Sequence, residues 1–369
     1  GGSSPAGASN NSLLLAFGRF SSCAGKSRRL LFMDVLPGVP ASFVEELGRT
    51  SGLKSLPAVD ADAPPAAAAA AFNEHGIVAI RGALPEDVLV PLRARSSAVM
   101  AEIVRQDPKR KGSRGPRRYS FGGSSSTGSQ LHHSEWAALV DVPAVTAVLD
   151  EIWGSRDYAC HTAGGDFCLA GAPGHQNLHA DAWFPGCNEW PHAPRIAVNY
   201  LIEDQTPFNG PLRLLPGTQH RPFQEAPSID EESAESLLST MCPLPAGTAL
   251  VRDLRAWHGG TPNLSRAHRA MPNAEFTAPD LLARTRPEER IPKCLPHELW
   301  QQLSERGRHL ARFVKAPEGE ALDVRVAFDL PLGGSLARSF FDASEPAPLF
   351  APCRDALMKT GGSENCRQS

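Results

Sequence analysis

The sequence predicts a domain of β-strands flanked by amphipathic helices. Residues 195–202 form an apolar, β-branched run typical of a buried strand, and residues 76–81 predict a second strand. A helix begins near Pro85, because acidic residues in its first turn favour the helix dipole and apolar residues then recur at helical spacing. Two more helices are predicted over residues 143–153 and 296–314, and a late strand over residues 324–328.

Composition sets the expected limits of this domain. Residues 1–65 are expected to be a flexible N-terminal segment, residues 66–345 the folded domain and residues 346–369 a C-terminal tail, with residues 60–71 as a Pro/Ala linker. Residues 1–33 hold serines and basic residues but no acid, which is typical of an organelle transit segment. The same composition fits a disordered tail, and Met33 is an alternative initiator. The cytoplasm is the default location, and a plastid or mitochondrion is the alternative.

The overall composition is that of a globular protein. The chain has 369 residues, 41% of them hydrophobic and 21% charged. A net charge of −3 gives no reason to expect nucleic-acid binding, and the absence of an apolar run of about eighteen residues predicts no membrane span. Eight cysteines without a C-x-x-C pair predict reduced, mostly buried thiols.

The motif that carries chemistry is a His-x-Asp pair followed by a distant histidine. His179 and Asp181 are two residues apart, so on a strand both side chains would point to the same face. His258 lies in the later run Trp-His-Gly-Gly. Two histidines and one carboxylate are the ligands of a facial iron site, which leaves the opposite face of the metal open for substrate and oxygen. The pattern therefore indicates oxygen chemistry.

Other interpretations of these histidines remain open. The chain has twelve histidines, so a His-x-Asp pair arises easily by chance, and His179 could be a structural residue paired with Asp181. His175 lies four residues before His179, a spacing that suits a zinc pair on a helix. Gly171, Pro173 and Gly174 disfavour a helix there, so we interpret His175 as a loop residue. His192 and His220 lie in turn contexts and are weaker candidates.

Several blocks in order carry a resemblance to a known family. They are Phe72 to Leu84, Asn209 to His220 (Asn-Gly-Pro-Leu-Arg-Leu-Leu-Pro-Gly-Thr-Gln-His), Gly247 to Asp253, and His258 to Arg269. With the His-x-Asp pair, these blocks resemble the phytanoyl-CoA dioxygenase family of iron(II)- and 2-oxoglutarate-dependent oxygenases. The resemblance covers about residues 66–314. It implies a mainly β fold with flanking helices, a double-stranded β-helix (jelly roll, cupin-like).

The resemblance also assigns roles to residues. It implies that His179, Asp181 and His258 bind Fe(II) and that Arg269 pairs with the distal carboxylate of 2-oxoglutarate. A guanidinium suits that role because it binds a carboxylate with two parallel hydrogen bonds. Arg266 is the competing arginine. Gln176 matches a position that in some members contacts the cosubstrate, although a structural role is an equal alternative.

The reaction implied is hydroxylation of a small organic substrate with Fe(II), 2-oxoglutarate and O2, releasing succinate and CO2. Asp181 is a carboxylate rather than alanine or glycine, which favours hydroxylation over halogenation. A lipid, an acyl-CoA ester or a secondary metabolite would each suit the family. Two alternatives stay open, a non-catalytic jelly-roll binding protein and a zinc hydrolase that uses the same three ligands.

Four further features carry predictions. Residues 105–118 hold seven basic residues and one acid, which predicts either a solvated rim or a clamp for an anionic substrate. The Gly/Ser-rich residues 122–129 are expected to be flexible and could form part of a lid. Trp183 is expected on the face of Asp181, where it would shape the pocket or pack in the core, and Trp257 is expected in the core.

Overall fold

The computed structural model describes residues 35–37, 39, 57–122, 127–181, 186–227, 231–232, 239–320 and 322. All of them belong to one compact unit, Val35–Ser369. The strands in this part of the chain are β1 (Ala58–Asp60), β2 (Ile77–Arg81), β3 (Arg118–Phe121), β4 (Ala159–Cys168), β5 (Arg195–Tyr200), β6 (Leu212–Leu214), β7 (Ala249–Asp253), β8 (His258–Gly260) and β9 (Arg269–Thr277).

The α-helices of the described residues lie before, between and after the strands. They are α1 (Pro65–His75), α2 (Glu86–Gln106), α3 (Ser134–Ala137), α4 (Pro143–Trp153), α5 (Pro279–Thr285), α6 (Pro287–Arg290), α7 (His297–Gln302) and α8 (Glu305–Leu310). None of these helices has both the length and the apolarity that a bilayer crossing requires.

The strands form one large and one small sheet. The large sheet is open and mixed, with the order β1-β2-β7-β5-β9-β4-β3, and all its pairs are antiparallel except β1 with β2. The small sheet pairs β6 with β8, antiparallel. The predicted mainly β fold with flanking helices is therefore confirmed.

Both faces of the large sheet are buried. Along β2, Val78 and Ile80 pack into a core shared with the helices, which includes Phe72 of α1 and Leu92 of α2. The alternate residues point the other way, as the pleat of a strand requires. They define the inner face of the large sheet, which packs toward β6 through Ile77, Ala79, Leu250, Met271 and Leu214.

The predicted helices and strands are mostly found where the sequence places them. The strand near residue 77, the strand beginning at residue 195 and the helix over 143–153 all form, and the helix predicted from Pro85 is α2. The late strand over residues 324–328 lies outside the described residues.

Two predictions differ from the structure. The Pro/Ala segment predicted as a linker instead forms the start of α1, with Pro65 in its first turn and Phe72 buried. The single helix predicted over residues 296–314 is two short helices, because Ser304 accepts a hydrogen bond from the Gly307 amide and caps a new helix there.

The structure also shows contacts from residues before position 66. Strand β1 pairs with β2, and Val35 forms a bridge with Ser265. The predicted domain limits themselves, at residues 66 and 345, stay a prediction. The described cysteines, Cys160, Cys168, Cys187, Cys242 and Cys294, form no disulfide.

Candidate metal centre and carboxylate pocket

Three side chains that the sequence predicts as metal ligands converge. One ligand atom from each of His179, Asp181 and His258 lies within 4.8 Å of the other two. The Nε2 atom of His258 is 3.2 Å from Asp181 Oδ2, and the Nε2 atom of His179 is 3.5 Å from Asp181 Oδ1. Neighbouring ligands on one metal, each about 2.1 Å from it, lie about 3 Å apart. The spacing therefore fits a single ion.

The backbone brings the two histidines together directly. His179 and His258 form an isolated antiparallel bridge, and each amide donates to the other's carbonyl at 3.0 Å. Asp181 is placed differently, because its amide donates to the carbonyl of Leu254 at 2.8 Å. The segment around His179 is thus not the regular strand that the sequence predicts, although its side chains still reach one point.

The imidazole rings present the same nitrogen to this point. The Nδ1 atom of His179 lies 3.0 Å from the carbonyl of Asn177, and that of His258 lies 3.0 Å from the carbonyl of Ala256. A proton on each Nδ1 satisfies these contacts and leaves Nε2 with a lone pair for a metal. Burial, followed by the proximity of His258, lowers the pKa of His179 to about 4, so this ring is neutral at pH 7.

Asp181 is the charged member of the cluster. Burial acts to raise the pKa of its carboxyl, but His258 and Arg252 outweigh this effect and hold that pKa well below the usual range. Its side chain nevertheless remains 33% exposed, against 17% for His179 and 6% for His258. Asp181 is therefore the most exposed of the three side chains.

Arg269 is a buried cation with unused donors. It lies at the start of β9 with the parity of Met271, so it belongs to the inner face. Its Nη2 donates to the carbonyl of Gly210 at 2.5 Å, whereas Nε and Nη1 are buried and have no hydrogen-bond partner among the described residues. A buried N–H without a partner is costly, so these donors suit an anion as a partner.

The competing arginine points elsewhere. Arg266 is exposed, and its Nε donates to the carbonyl of Val35 at 3.0 Å. It therefore anchors the segment at Val35 to the loop before β9. Of the two arginines that the sequence proposes for a carboxylate, Arg269 is the buried one with free donors.

Gln176 lies beside the metal ligands and binds the chain around His258. Its amide donates to the carbonyl of Gly260, and its Oε1 accepts from the Gly260 amide, both at 2.9 Å. Arg118 approaches the same glycine, and a Cβ on Gly260 would overlap its Nη1 atom and lie 2.9 Å from Gln176 Oε1. Gln176 thus holds the backbone at Gly260 in place. Its contact with a cosubstrate stays a prediction.

A methyl group at Gly260 is therefore expected to destabilise the centre. We predict that Gly260→Ala lowers the free energy of unfolding by about 1–3 kcal/mol, because Arg118 and Gln176 must both move in a packed site. Urea denaturation followed by fluorescence measures this change. The control is Gly307→Ala in α8, where the nearest atoms are at 3.1–3.4 Å and the helix favours alanine. Equal stabilities for the two variants would contradict the prediction.

Sequence reasoning missed three buried arginines near this site. Arg118 of β3 donates to the carbonyls of Gly174 and Thr261, Arg213 of β6 pairs with Glu232, and Arg252 of β7 pairs with Asp181. The available signal was a charged residue in a mostly apolar strand, as Arg213 in Leu212–Leu214 and Arg252 after Ala249, Leu250 and Val251. Arg118 also shows that the basic segment is not only a solvated rim, since its last residue is buried.

Glu203 is a half-buried acid that interacts electrostatically with Arg269. Its Oε2 has no hydrogen-bond partner among the described residues, and burial raises its pKa from 4.5 to about 7. The folded protein therefore binds this proton more tightly than the unfolded chain does. The contribution of Glu203 to the free energy of unfolding falls as the pH rises from about 4.5 to about 7.

We predict that Glu203→Gln is more stable than the wild type above pH 7. The expected gain is about 2–3 kcal/mol at pH 8, shrinking toward pH 5, since glutamine carries no charge to bury. Urea denaturation at pH 5 and pH 8 measures it, with the exposed Glu318→Gln as the control. If the difference in free energy of unfolding between wild type and Glu203→Gln did not change with pH, the pKa of Glu203 would be that of a solvated glutamate, against the prediction.

Two aromatic predictions have different outcomes. Trp257 lies in the core, as predicted, at 1% exposure, and Arg221 stacks over its ring. Trp183 falls outside the described residues, as do residues 123–126 of the Gly/Ser-rich stretch.

A protein-family model matches the part of the chain that contains the sequence blocks. The family model described as "Phytanoyl-CoA dioxygenase (PhyH)" matches residues 72–271, which include all three metal-ligand candidates and Arg269. No curated protein sequence matches the chain.

Solved structures resemble the chain at low identity. The epimerase SnoN in complex with Fe3+, alpha ketoglutarate and nogalamycin RO is 16% identical, with 58% of this chain and 83% of that chain covered and a TM-score of 0.45. AviO1 from Streptomyces viridochromogenes Tue57 is 16% identical, with 58% and 95% covered and a TM-score of 0.42. The non-heme monooxygenase ThoJ, as its Ni complex, is 20% identical, with 56% and 76% covered and a TM-score of 0.40.

Proposed function

The chain belongs to the phytanoyl-CoA dioxygenase family, and on that premise we propose that it hydroxylates a small organic molecule with Fe(II), 2-oxoglutarate and O2. The products are the alcohol, succinate and CO2, so that one oxygen atom of O2 enters the succinate and the other enters the substrate. The observation that carries the proposal is the convergence of His179, Asp181 and His258 together with the unpaired donors of Arg269.

The donor set suits the metal. Two neutral imidazoles and one carboxylate on one side of an ion are the ligands of non-heme iron oxygenases, and they leave positions for a cosubstrate and oxygen. A zinc hydrolase would need the same three ligands but would have no use for Arg269. The buried, unpaired guanidinium therefore favours the oxygenase, whose cosubstrate has a second carboxylate.

Each residue has a defined task in this proposal. His179, Asp181 and His258 would hold the iron, and Arg269 would bind the distal carboxylate of 2-oxoglutarate through an unpaired donor. When bound, the iron and 2-oxoglutarate together supply the oxidising power for breaking a C–H bond. The protein orients both groups, and the apolar inner face around Met271 and Leu250 limits access of water.

The accessible side of Asp181 suits the entry of the substrate. Of the three ligand side chains, it is the most exposed, at 33%. The apolar residues of the inner face, among them Met271 and Leu250, suit an organic substrate. A lipid, an acyl-CoA ester or a secondary metabolite each remains within the proposal.

Isotope labelling tests the reaction. Iron-loaded protein is incubated with 2-oxoglutarate, 18O2 and a panel of acyl-CoA esters, osmolytes, alkaloids and terpenoids, and products are analysed by mass spectrometry. We expect one 18O atom in succinate and one in a hydroxylated member of the panel. Zinc-loaded protein is the control and should form no succinate. A substrate that is converted without gaining oxygen would contradict hydroxylation, and succinate without 18O would contradict the oxygenase.

A further inference from the structure

Arg252 binds the carboxylate that the proposed function places on the iron. Its Nη2 donates to Asp181 Oδ2 at 2.7 Å, and its Nη1 lies 3.1 Å from His258 Nδ1. We propose that Arg252 is a positioning residue that holds Asp181 in the orientation for binding metal through a single oxygen. This inference rests on the proposed function, because it requires Asp181 to be a metal ligand.

The strand directs Arg252 to this position. In β7 it pairs with Ile77 of β2 on one side and with Ala197 of β5 on the other, so it shares the inner face with Ile77. It is only 4% exposed. A buried guanidinium needs a partner of opposite charge, and among the described residues the ion pair of Arg252 is with Asp181.

The two contacts of Arg252 differ in kind. The Nδ1 atom of His258 also lies 3.0 Å from the carbonyl of Ala256. When Nε2 of His258 binds a metal, Nδ1 carries the proton and donates it to that carbonyl, so Nδ1 cannot accept from Arg252. The charged hydrogen bond to Asp181 is therefore the contact that persists in the metal-bound state.

The way in which Asp181 binds the metal decides how many coordination positions stay free for the cosubstrate and oxygen. Three protein ligands would leave positions on the metal for the cosubstrate and oxygen. An aspartate that bound through both oxygens would take one of these positions. Oδ2 accepts from Arg252 and also lies 3.2 Å from His258 Nε2, whereas Oδ1 lies 3.5 Å from His179 Nε2. Because Arg252 occupies one lone pair of Oδ2, the two oxygens are not equivalent, which disfavours binding of the metal by both.

Cobalt binding tests this role without turnover. Co(II) is titrated into metal-free wild type and Arg252→Met under nitrogen, and the visible absorption of Co(II) reports both affinity and coordination number. We expect Arg252→Met to bind Co(II) about 10- to 100-fold more weakly, as loss of a group that orients a metal ligand does. Its spectrum should shift, whereas its KM for 2-oxoglutarate at saturating iron should rise much less than that of Arg269→Met.

A variant that keeps the positive charge distinguishes a loss of Asp181 positioning from a failure of the protein to fold. Arg252→Lys keeps a buried cation but offers a compact ammonium instead of a planar fork. We expect it to fold and to bind Co(II) with an affinity between those of wild type and Arg252→Met, so the test holds even where Arg252→Met fails to fold. Melting temperatures of the metal-free proteins provide the folding control.

The outcomes distinguish this inference from the proposed function. Wild type that binds Co(II), together with folded Arg252 variants whose affinity and spectrum equal those of wild type, would overturn the role of Arg252 alone. Wild type that is folded and does not bind Co(II) or Fe(II) would overturn the metal centre, and with it both proposals.

Discussion

Replacing Asp181 by alanine is expected to abolish iron-dependent succinate formation. The variant loses the only carboxylate of the His-Asp-His cluster, and Arg252 is left with a buried charge whose ion-pair partner is gone. Two imidazoles hold iron far less firmly than three ligands do, so we expect turnover to fall by about a thousandfold or more, equivalent to about 4 kcal/mol. Succinate formed per minute at fixed iron measures the loss.

The control for this variant is Asp62→Ala. Asp62 is exposed, so its loss removes a carboxylate without disturbing the cluster, and its turnover should equal that of wild type. Circular dichroism of Asp181→Ala establishes that the variant is folded. Full turnover by folded Asp181→Ala would contradict the assignment of this residue as a metal ligand.

Replacing Arg269 by methionine is expected to raise the KM for 2-oxoglutarate by about 100-fold. Methionine fills most of the space of the arginine stem but removes the positive charge and the two unpaired donors, Nε and Nη1. Hydrogen bonds to a charged group contribute about 1.5–3 kcal/mol each, so the loss of one to two of them gives about this factor. Initial rates of succinate formation over a range of 2-oxoglutarate concentrations measure KM and kcat separately.

Arg266→Met is the matched control, because it removes a guanidinium three residues away that contacts Val35 instead of the pocket. Its KM should stay within about twofold of wild type, a difference of about 0.4 kcal/mol. If Arg266→Met raised the KM and Arg269→Met did not, the roles of the two arginines would have to be exchanged.

Most regular elements follow from local patterns in the sequence. The strands at Ile77–Arg81 and Arg195–Tyr200 are apolar and β-branched, and the helix Pro143–Trp153 begins with proline and is followed by Gly154 in a left-handed conformation. The linker prediction failed at Pro65–His75 because an alanine run is also the best helix former. Burial of Phe72 against the core decides between the two states, and only the folded structure shows it.

The candidate site was predictable only in part. The spacing of His179 and Asp181 and the distant His258 predict a shared metal, and the structure brings the three together. Arg252 is not predictable in the same way, because its role depends on the pairing of β7 with β2 and β5, which no local pattern specifies. Contacts between residues distant in sequence are thus where the structure adds most.

An anaerobic titration with Fe(II) and 2-oxoglutarate tests the central claim most directly. A keto acid that chelates iron through its carboxylate and keto oxygen gives a visible charge-transfer band. We expect this band in wild type, no band in Asp181→Ala, and in Arg269→Met a band that needs much more 2-oxoglutarate to develop. Folded, iron-loaded wild type that shows no band at saturating 2-oxoglutarate would contradict the assignment of this chain as a 2-oxoglutarate-dependent oxygenase.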